Sequence, residues 1–447
     1  MDAFTAAQRR TALSGDRLVE LVRRAFKRIG DHRPCSAISL TDTLMSAFAM
    51  FSLKCPSLLS FDKRRADPNL RSVYGIDQAP CDTQMRETLD PVDPAQLEPV
   101  YREIFRVAQR SKVLESFVHM NDCYLLSLDG TGYFNSLKIH CESCLEKHHR
   151  NGTVTYQHQM LGAAIVHPDH REVIPLAPEP IIKQDGATKN DCERNAAKRF
   201  LEKLRRDHPH LKVIVIEDGL ASNGPHIRAL QDKDCHFILG AKPGDHESLF
   251  RTLTDGVDTG DTFEYTHTDK DGVVHEFLYQ NGVPLNLSHP DLKVNVLDYW
   301  ERPPGKKSQH FTWVTDLKIT RQSALPIMRG GRCRWKIENE TFNTLKNQGY
   351  HFEHNFGHGK QNLSVVFAML MMLAFLVDQI QQIGCRVFRR ALKVAGSKRE
   401  LWEKMRSLFF DYYVDSITDI FAAIADGYQR QRLQLRTDPG VQPPDTS

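Results

Sequence analysis

Apolar residues recur along this chain with two spacings, and the spacings divide it. Near the start, Leu18, Leu21, Val22, Ala25 and Ile29 repeat at helical intervals, with Arg23, Arg24, Lys27 and Arg28 on the other faces. A second helix is predicted over 39–52, with Thr41 near its start, and the basic run Lys63-Arg64-Arg65 falls in the loop beyond. Pro80, Pro91, Pro94 and Pro99 mark 76–120 as a linker holding a helix at 97–111. The runs then shorten to strand length. Strands are predicted at 124–129 (continuing through 133–136), 153–166 and 172–176. A helix over 192–206 buries Ala197, Phe200, Leu201 and Leu204, and Asn190 and Glu193 have capping-box spacing at its start. A strand at 212–216, a short helix at 225–231 and a strand at 236–240 follow. Three strands, helix, strand, helix, strand describes a mixed α/β sheet.

Residues 245–320 break this alternation. Segments 263–266 and 273–279 flank Asp271-Gly272, and Asn281-Gly282 follows; both dipeptides read as hairpin turns. Segments 293–300 and 311–319, the latter containing Trp313, flank the loop Pro303-Pro304-Gly305-Lys306-Lys307. The result is a β-rich insertion. Helical spacing then returns: Trp335, Phe342 and Leu345 make one apolar stripe, Glu338 falls within it and Glu340 points away. Residues 363–380 are apolar almost throughout and approach membrane-span length. Ser364, Asp378 and Gln379 bound the run closely, so an internal helix is predicted and no membrane partner.

A carboxylate on a face meant for the core is costly unless something holds it. For Glu338 the candidates are Arg334, one turn back, and a metal ion; a buried Arg–Glu pair and a catalytic acid both stand as readings. Partners come from elsewhere in the chain. The strand Leu125-Leu126-Ser127-Leu128 delivers Asp129, followed by Gly130-Thr131-Gly132, and Val213-Ile214-Val215-Ile216 ends at Glu217-Asp218-Gly219. Asp129, Asp218 and Glu338 thus form a three-carboxylate constellation. Gathering them requires divalent cations, and oxygen-only ligands suit Mg²⁺ or Mn²⁺. Two such ions can clamp the attacking and leaving oxygens of a phosphodiester.

With Leu128-Asp129-Gly130-Thr131, Ile216-Glu217-Asp218 and Arg334-Trp335-Lys336-Ile337-Glu338 in this order, plus Phe342 and Lys346, the chain resembles the DDE transposases of bacterial insertion sequences, in their cut-and-paste branch. The resemblance covers about residues 120 to 375. The family signature runs Tyr, two residues, Arg, three residues, Glu, six residues, Lys. Arg334 and Glu338 fit it; the Tyr position is Gly331, and Lys346 comes one residue late. The resemblance implies an RNase H-like core interrupted by the β-rich insertion, with Asp129, Asp218 and Glu338 as catalytic metal ligands for two Mg²⁺ or Mn²⁺ ions. It also implies Arg334, Lys346 and Trp313 as DNA contacts. Trp313 corresponds by order to a Trp that stacks on a flipped base in related enzymes, worth about 1–3 kcal/mol where exposed; a strand-core Trp is the other reading. The implied partners are the element's terminal inverted repeats and target DNA, bound by a homodimer. The alternatives are a metal-dependent nuclease or resolvase on the same core, which would cut without joining, and an inactive DNA-binding derivative.

Composition refines this picture. The chain has 447 residues, 26% of them charged, and a net charge of only +3. The charge is uneven: residues 1–71 carry 13 Lys and Arg against 7 Asp and Glu. The expected organisation is a helical, DNA-binding region at 1–75, linker helices at 76–120, core at 121–244, insertion at 245–320, the second core part with the catalytic helix at 321–380, and a helical C-terminal region at 381–447. In that last region Arg386, Arg389, Arg390, Lys393, Lys398 and Arg399 form a basic run, and the tail from Thr437 is expected to be disordered. Ten scattered cysteines fit a reducing cytoplasm, and no signal pattern opens the chain. Cys141 and Cys144 form a CxxC with His148 and His149 close behind. A structural zinc on Cys141, Cys144 and His148 is one reading and a pair of loop thiols the other. His351, His354 and His358 form a second His-rich stretch, read as a polar loop near DNA.

Overall fold

A computed structural model describes residues 11–183 and 190–428; the tail expected to be disordered lies outside them. Among the described residues, six α-helices precede the sheet: α1 (Gly15–Phe26), α2 (Leu40–Ser52), α3 (Leu58–Asp62), α4 (Asn69–Tyr74), α5 (Asp82–Leu89) and α6 (Glu98–Arg110). Ser14 and Ser39 accept hydrogen bonds from the first-turn amides of α1 and α2, satisfying donors a helix start leaves free. The apolar face read for α1 is buried at Leu18, Leu21, Val22 and Ala25.

The centre of the molecule is one sheet. Its strands are β1 (Val118–Met120), β2 (Cys123–Ser136), β3 (Leu145–His148), β4 (Val154–Val166), β5 (Ile174–Pro175), β6 (Glu179–Ile181), β7 (Val213–Glu217), β8 (His236–Gly240), β9 (Phe263–Thr268), β10 (Val274–Asn286), β11 (His289–Arg302) and β12 (Gln309–Thr315). Helices α7 (Glu193–Asp207) and α8 (Gly224–Asp232) connect β6, β7 and β8, and α9 (Glu247–Thr259) leads into β9. The strand order is β3-β4-β2-β7-β8-β12-β11-β10-β9, with β1, β5 and β6 alongside. Strands β2, β7 and β8 are parallel, and β4 runs antiparallel to β2. The insertion is not a separate sheet: β12 pairs antiparallel with β8, so its four strands extend the core sheet sideways.

Three local expectations need correction. The strand predicted at 172–176 shrinks to β5, with β6 beyond it, both on β4. Pro175 and Pro180 lack the amide a longer ladder needs. Asn190 does not cap α7. Its amide bridges the backbone of Glu146 instead, accepting from N at 2.9 Å and donating to O at 2.6 Å, while Cys192 takes the cap position without a side-chain bond. Asn281-Gly282 is no hairpin turn but a bulge inside β10, where the register against β11 shifts and Gly282 takes φ +72°. Asn281 uses its amide to clasp Ile319, donating to O at 2.9 Å and accepting from N at 2.8 Å.

After β12 come α10 (Ala324–Arg332), a single π-helical stretch (Ile337–Phe342), and α11 (Asn343–Asn347). Then follow α12 (Leu363–Gly384), α13 (Arg386–Ala395), α14 (Lys398–Asp411) and α15 (Ile417–Asp426). Helix α12 is long and apolar enough to cross a membrane, yet it is buried inside the molecule, as its polar boundaries predict. The N-terminal helices close over it together with the C-terminal ones. Asn69 donates to the Tyr412 carbonyl at 2.7 Å, and Asp16 accepts from the Ile417 amide at 2.7 Å, capping α15. Residues 11–75 therefore share one apolar core with α12 and α14.

Candidate active site

Asp129 lies within β2, where the strand passes the end of its parallel neighbour β7. The two strands are in register from Tyr124 opposite Val213 to Ser127 opposite Ile216. Two residues further on, the same register sets Asp129 beside Asp218. Asp218 follows β7 and turns the chain, its Oδ1 accepting from the Leu220 amide at 2.9 Å. Both acids line one cleft, together with Glu193, Glu217 and His226.

The helical segment bearing Glu338 is laid across this edge by small residues. Gly162 on β4 pairs with Asp129. A Cβ at 162 would stand 2.7 Å from the Phe342 ring, so the glycine lets that ring sit against the strand. Ser127 Oγ donates to the Arg334 carbonyl at 3.2 Å, fixing the start of the segment. Between these anchors the helix takes its π-helical stretch, which accommodates one residue more than an α-turn. Trp335, predicted on the buried stripe, is consequently turned outward and is 48% exposed, whereas Ile337, Phe342 and Leu345 are buried.

Arg334 Nη1 bonds Glu338 Oε1 at 2.7 Å and lies 3.6 Å from Asp129 Oδ2, while its guanidinium stacks on Trp335 at 4.1 Å. Burial first, and then the hydrogen bond and charge of Glu338, push the Asp129 carboxyl up to about 7; Arg334 only partly opposes this. Crowding of this kind is what a cation relieves. The donors are all carboxylate oxygens, so the residues fit Mg²⁺ or Mn²⁺.

Glu193 is the acid that sequence reading assigned to a cap and not to the site. On the first turn of α7 it reaches back to β2. A Cβ on Gly130 would fall 2.1 Å from Glu193 Oε1, so the glycine after Asp129 is what admits this carboxylate. Burial, with the charges of Asp218 and Glu217, raises its pKa. Glu217 is engaged with His226 at 2.6 Å; burial lowers the His226 pKa, but the Glu217 charge and hydrogen bond outweigh it and the net shift is upward. The Gly130 position beside Asp129 was the available signal for Glu193; nothing in local spacing pointed to the pairing.

The other predicted residues are placed as follows. Lys346 Nζ pairs with Glu353 at 2.9 Å. Trp313 is only 5% exposed and stacks with Phe311, and a Cβ on Gly331 would lie 2.4 Å from its Nε1. It is a core residue here, so the base-stacking expectation is corrected: the indole fills the space that a side chain at 331 would need. His148 is not beside Cys141 and Cys144. It is exposed at the end of β3, 3.4 Å from Glu146, because the extended strand carries it four residues along from Cys144. His158 and His358 stand there instead.

The sequence profile of the Transposase DDE domain matches residues 141–376, more than half of the chain. The chain belongs to this family. It is thus a transposase of the DDE type, a family of metal-dependent phosphoryl-transfer enzymes acting on DNA. The match includes Asp218 and Glu338, and Asp129 lies 12 residues before its start. No curated protein matches this transposase.

Proposed function

We propose that Asp129, Asp218 and Glu338 are the catalytic acids, that they hold two Mg²⁺ or Mn²⁺ ions, and that the enzyme cuts and joins the terminal inverted repeats of an insertion sequence. The observation carrying this reading is the convergence of the three carboxylates: strand register brings Asp129 and Asp218 to one cleft, and Arg334 lies 2.7 Å from Glu338 and 3.6 Å from Asp129. When bound, such ions supply activation of the attacking oxygen and stabilisation of the leaving oxygen at a phosphodiester. The chain's own groups position the site. Arg334 orients Glu338 and balances its charge, held in turn by Trp335. Lys346 exchanges Glu353 for a DNA phosphate near the cut. Phosphate contacts away from the site are made by the basic cleft between α1 and α6, which contains Arg24, Lys27, Arg28 and Arg106. The active assembly is a homodimer on paired ends, and the setting is cytoplasmic, in keeping with ten free thiols.

The test uses purified enzyme, Mg²⁺ and DNA carrying the element's ends. Asp129→Asn, Asp218→Asn and Glu338→Gln are each expected to abolish cleavage while retaining end binding. Glu340→Gln, near Arg171 on another face, is expected to keep substantial activity. Normal cleavage by any of the three acid variants removes that residue from the site. Cleavage without strand joining by the unaltered enzyme would identify a nuclease instead.

A further inference from the structure

We propose that Cys141, Cys144, His158 and His358 form a tetrahedral zinc site that clasps the segment following the Glu338 helix onto the β2–β4 hairpin. The four ligand atoms lie within 4.8 Å of one another. Cys141 Sγ is 3.7 Å from Cys144 Sγ and 3.5 Å from His158 Nε2. Cys144 Sγ is 3.4 Å from both His158 Nε2 and His358 Nε2. A tetrahedral ion with Zn–S near 2.3 Å and Zn–N near 2.0 Å requires about 3.8 Å between sulfurs and about 3.5 Å from sulfur to nitrogen. The separations match one ion, and the sulfurs are too far apart for a disulfide.

Burial argues the same way. Cys144, His158 and His358 are 1%, 0% and 7% exposed. Each imidazole directs Nε2 at the sulfurs, and neither Nδ1 has a hydrogen-bond partner among the described residues. Two buried rings with no polar contact except thiols carry a desolvation cost that a metal–nitrogen bond offsets. Aromatic packing sets their orientation: Tyr133 stacks on His158 at 6.0 Å, and Phe134 lies 4.3 Å from His358. The Cys141 amide, 3.4 Å from Cys144 Sγ, is a donor suited to a metal-bound thiolate. Two thiolates and two imidazoles select zinc over Mg²⁺, and four protein ligands leave no open position for a phosphate oxygen. The role is structural. The ligands come from the turn before β3, from β4, and from the loop between α11 and α12. Cys144 and His358 are 214 positions apart, so the ion ties the far side of the catalytic helix to the strand pair that carries Asp129.

The full chain, purified without chelators or metal-affinity resin, is expected to hold one zinc per molecule by elemental analysis, retained against excess Mg²⁺. Replacing it with Co²⁺ should give the visible bands of a tetrahedral ion and sulfur-to-cobalt charge transfer. Cys144→Ser and His358→Ala should lose the zinc, His148→Ala should keep it, and chelation should lower the unfolding temperature. The wild-type cobalt spectrum decides the matter even where a variant fails to fold. Wild-type protein with no zinc and no tetrahedral cobalt spectrum overturns the site. Zinc displaced by Mg²⁺, zinc kept by a folded His358→Ala variant, or a Cys141–Cys144 disulfide formed under reductant would do the same.

Discussion

At the scale of single residues, the neighbourhood of Asp129 depends on what its neighbours lack. Gly130 leaves room for Glu193, and Gly162 leaves room for Phe342. Glu193 adds a further carboxylate to the cleft, and its charge helps to raise the Asp129 pKa. Its expected part is to position the acids proposed above as metal ligands. Glu193→Gln should lower cleavage about 10- to 100-fold, the range for groups supporting metal ligands. It should also raise the Mg²⁺ concentration needed for half-maximal rate. A rate loss with an unchanged Mg²⁺ requirement would place Glu193 outside the metal network.

At the scale of elements, the π-helical stretch accounts for the departures from the family spacing near Glu338. Lys346 follows Glu338 by one residue more than the signature has, and one wide turn absorbs one residue. The same turn rotates Trp335 out of the buried stripe and leaves it supporting Arg334. The segment keeps its seat only while Phe342 lies against Gly162. Gly162→Ala should therefore cost about 1–3 kcal/mol, as overpacking does, and reduce cleavage by shifting Glu338. Chemical denaturation with unchanged midpoint and full activity would show that the ring shifts without consequence.

At the scale of the whole molecule, the N-terminal helices and the core are bound into one unit by a buried ion pair. Lys54, after α2, bonds Asp378 on α12; Tyr350 donates to the same carboxylate at 2.6 Å, and the Lys54 ammonium stands over Trp402 at 4.1 Å. Burial pushes Lys54 down and Asp378 up, and the pair's mutual attraction opposes both shifts. Removing one partner leaves the other charge buried. Lys54→Met should destabilise the protein by about 3–5 kcal/mol, and the double change Lys54→Met with Asp378→Leu should recover much of it. A single variant as stable as the parent would mean that the pair is dispensable. The shared core also means that deleting residues 1–75 would strip a face of α12, so DNA contacts there are better probed by charge reversal in the cleft between α1 and α6.

Periodicity alone was enough for α1, α7, the strands β2, β4, β7 and β8, and the buried course of α12, because each carries a single apolar pattern that local geometry satisfies in one way. It was also enough for two strands that bring acids to the site, Asp129 within one and Asp218 just after the other, and for a helix bearing a third. Contacts distant in the chain decided the rest. Whether Trp313 faces a base or the core depended on Gly331 beneath it. Whether Glu193 capped a helix or entered the cleft depended on Gly130. His358 joins Cys144 only once the chain has folded back across 214 positions. Spacing reports which face of an element a residue occupies, whereas a site is made where faces of different elements meet, and that meeting is set by packing across the sheet.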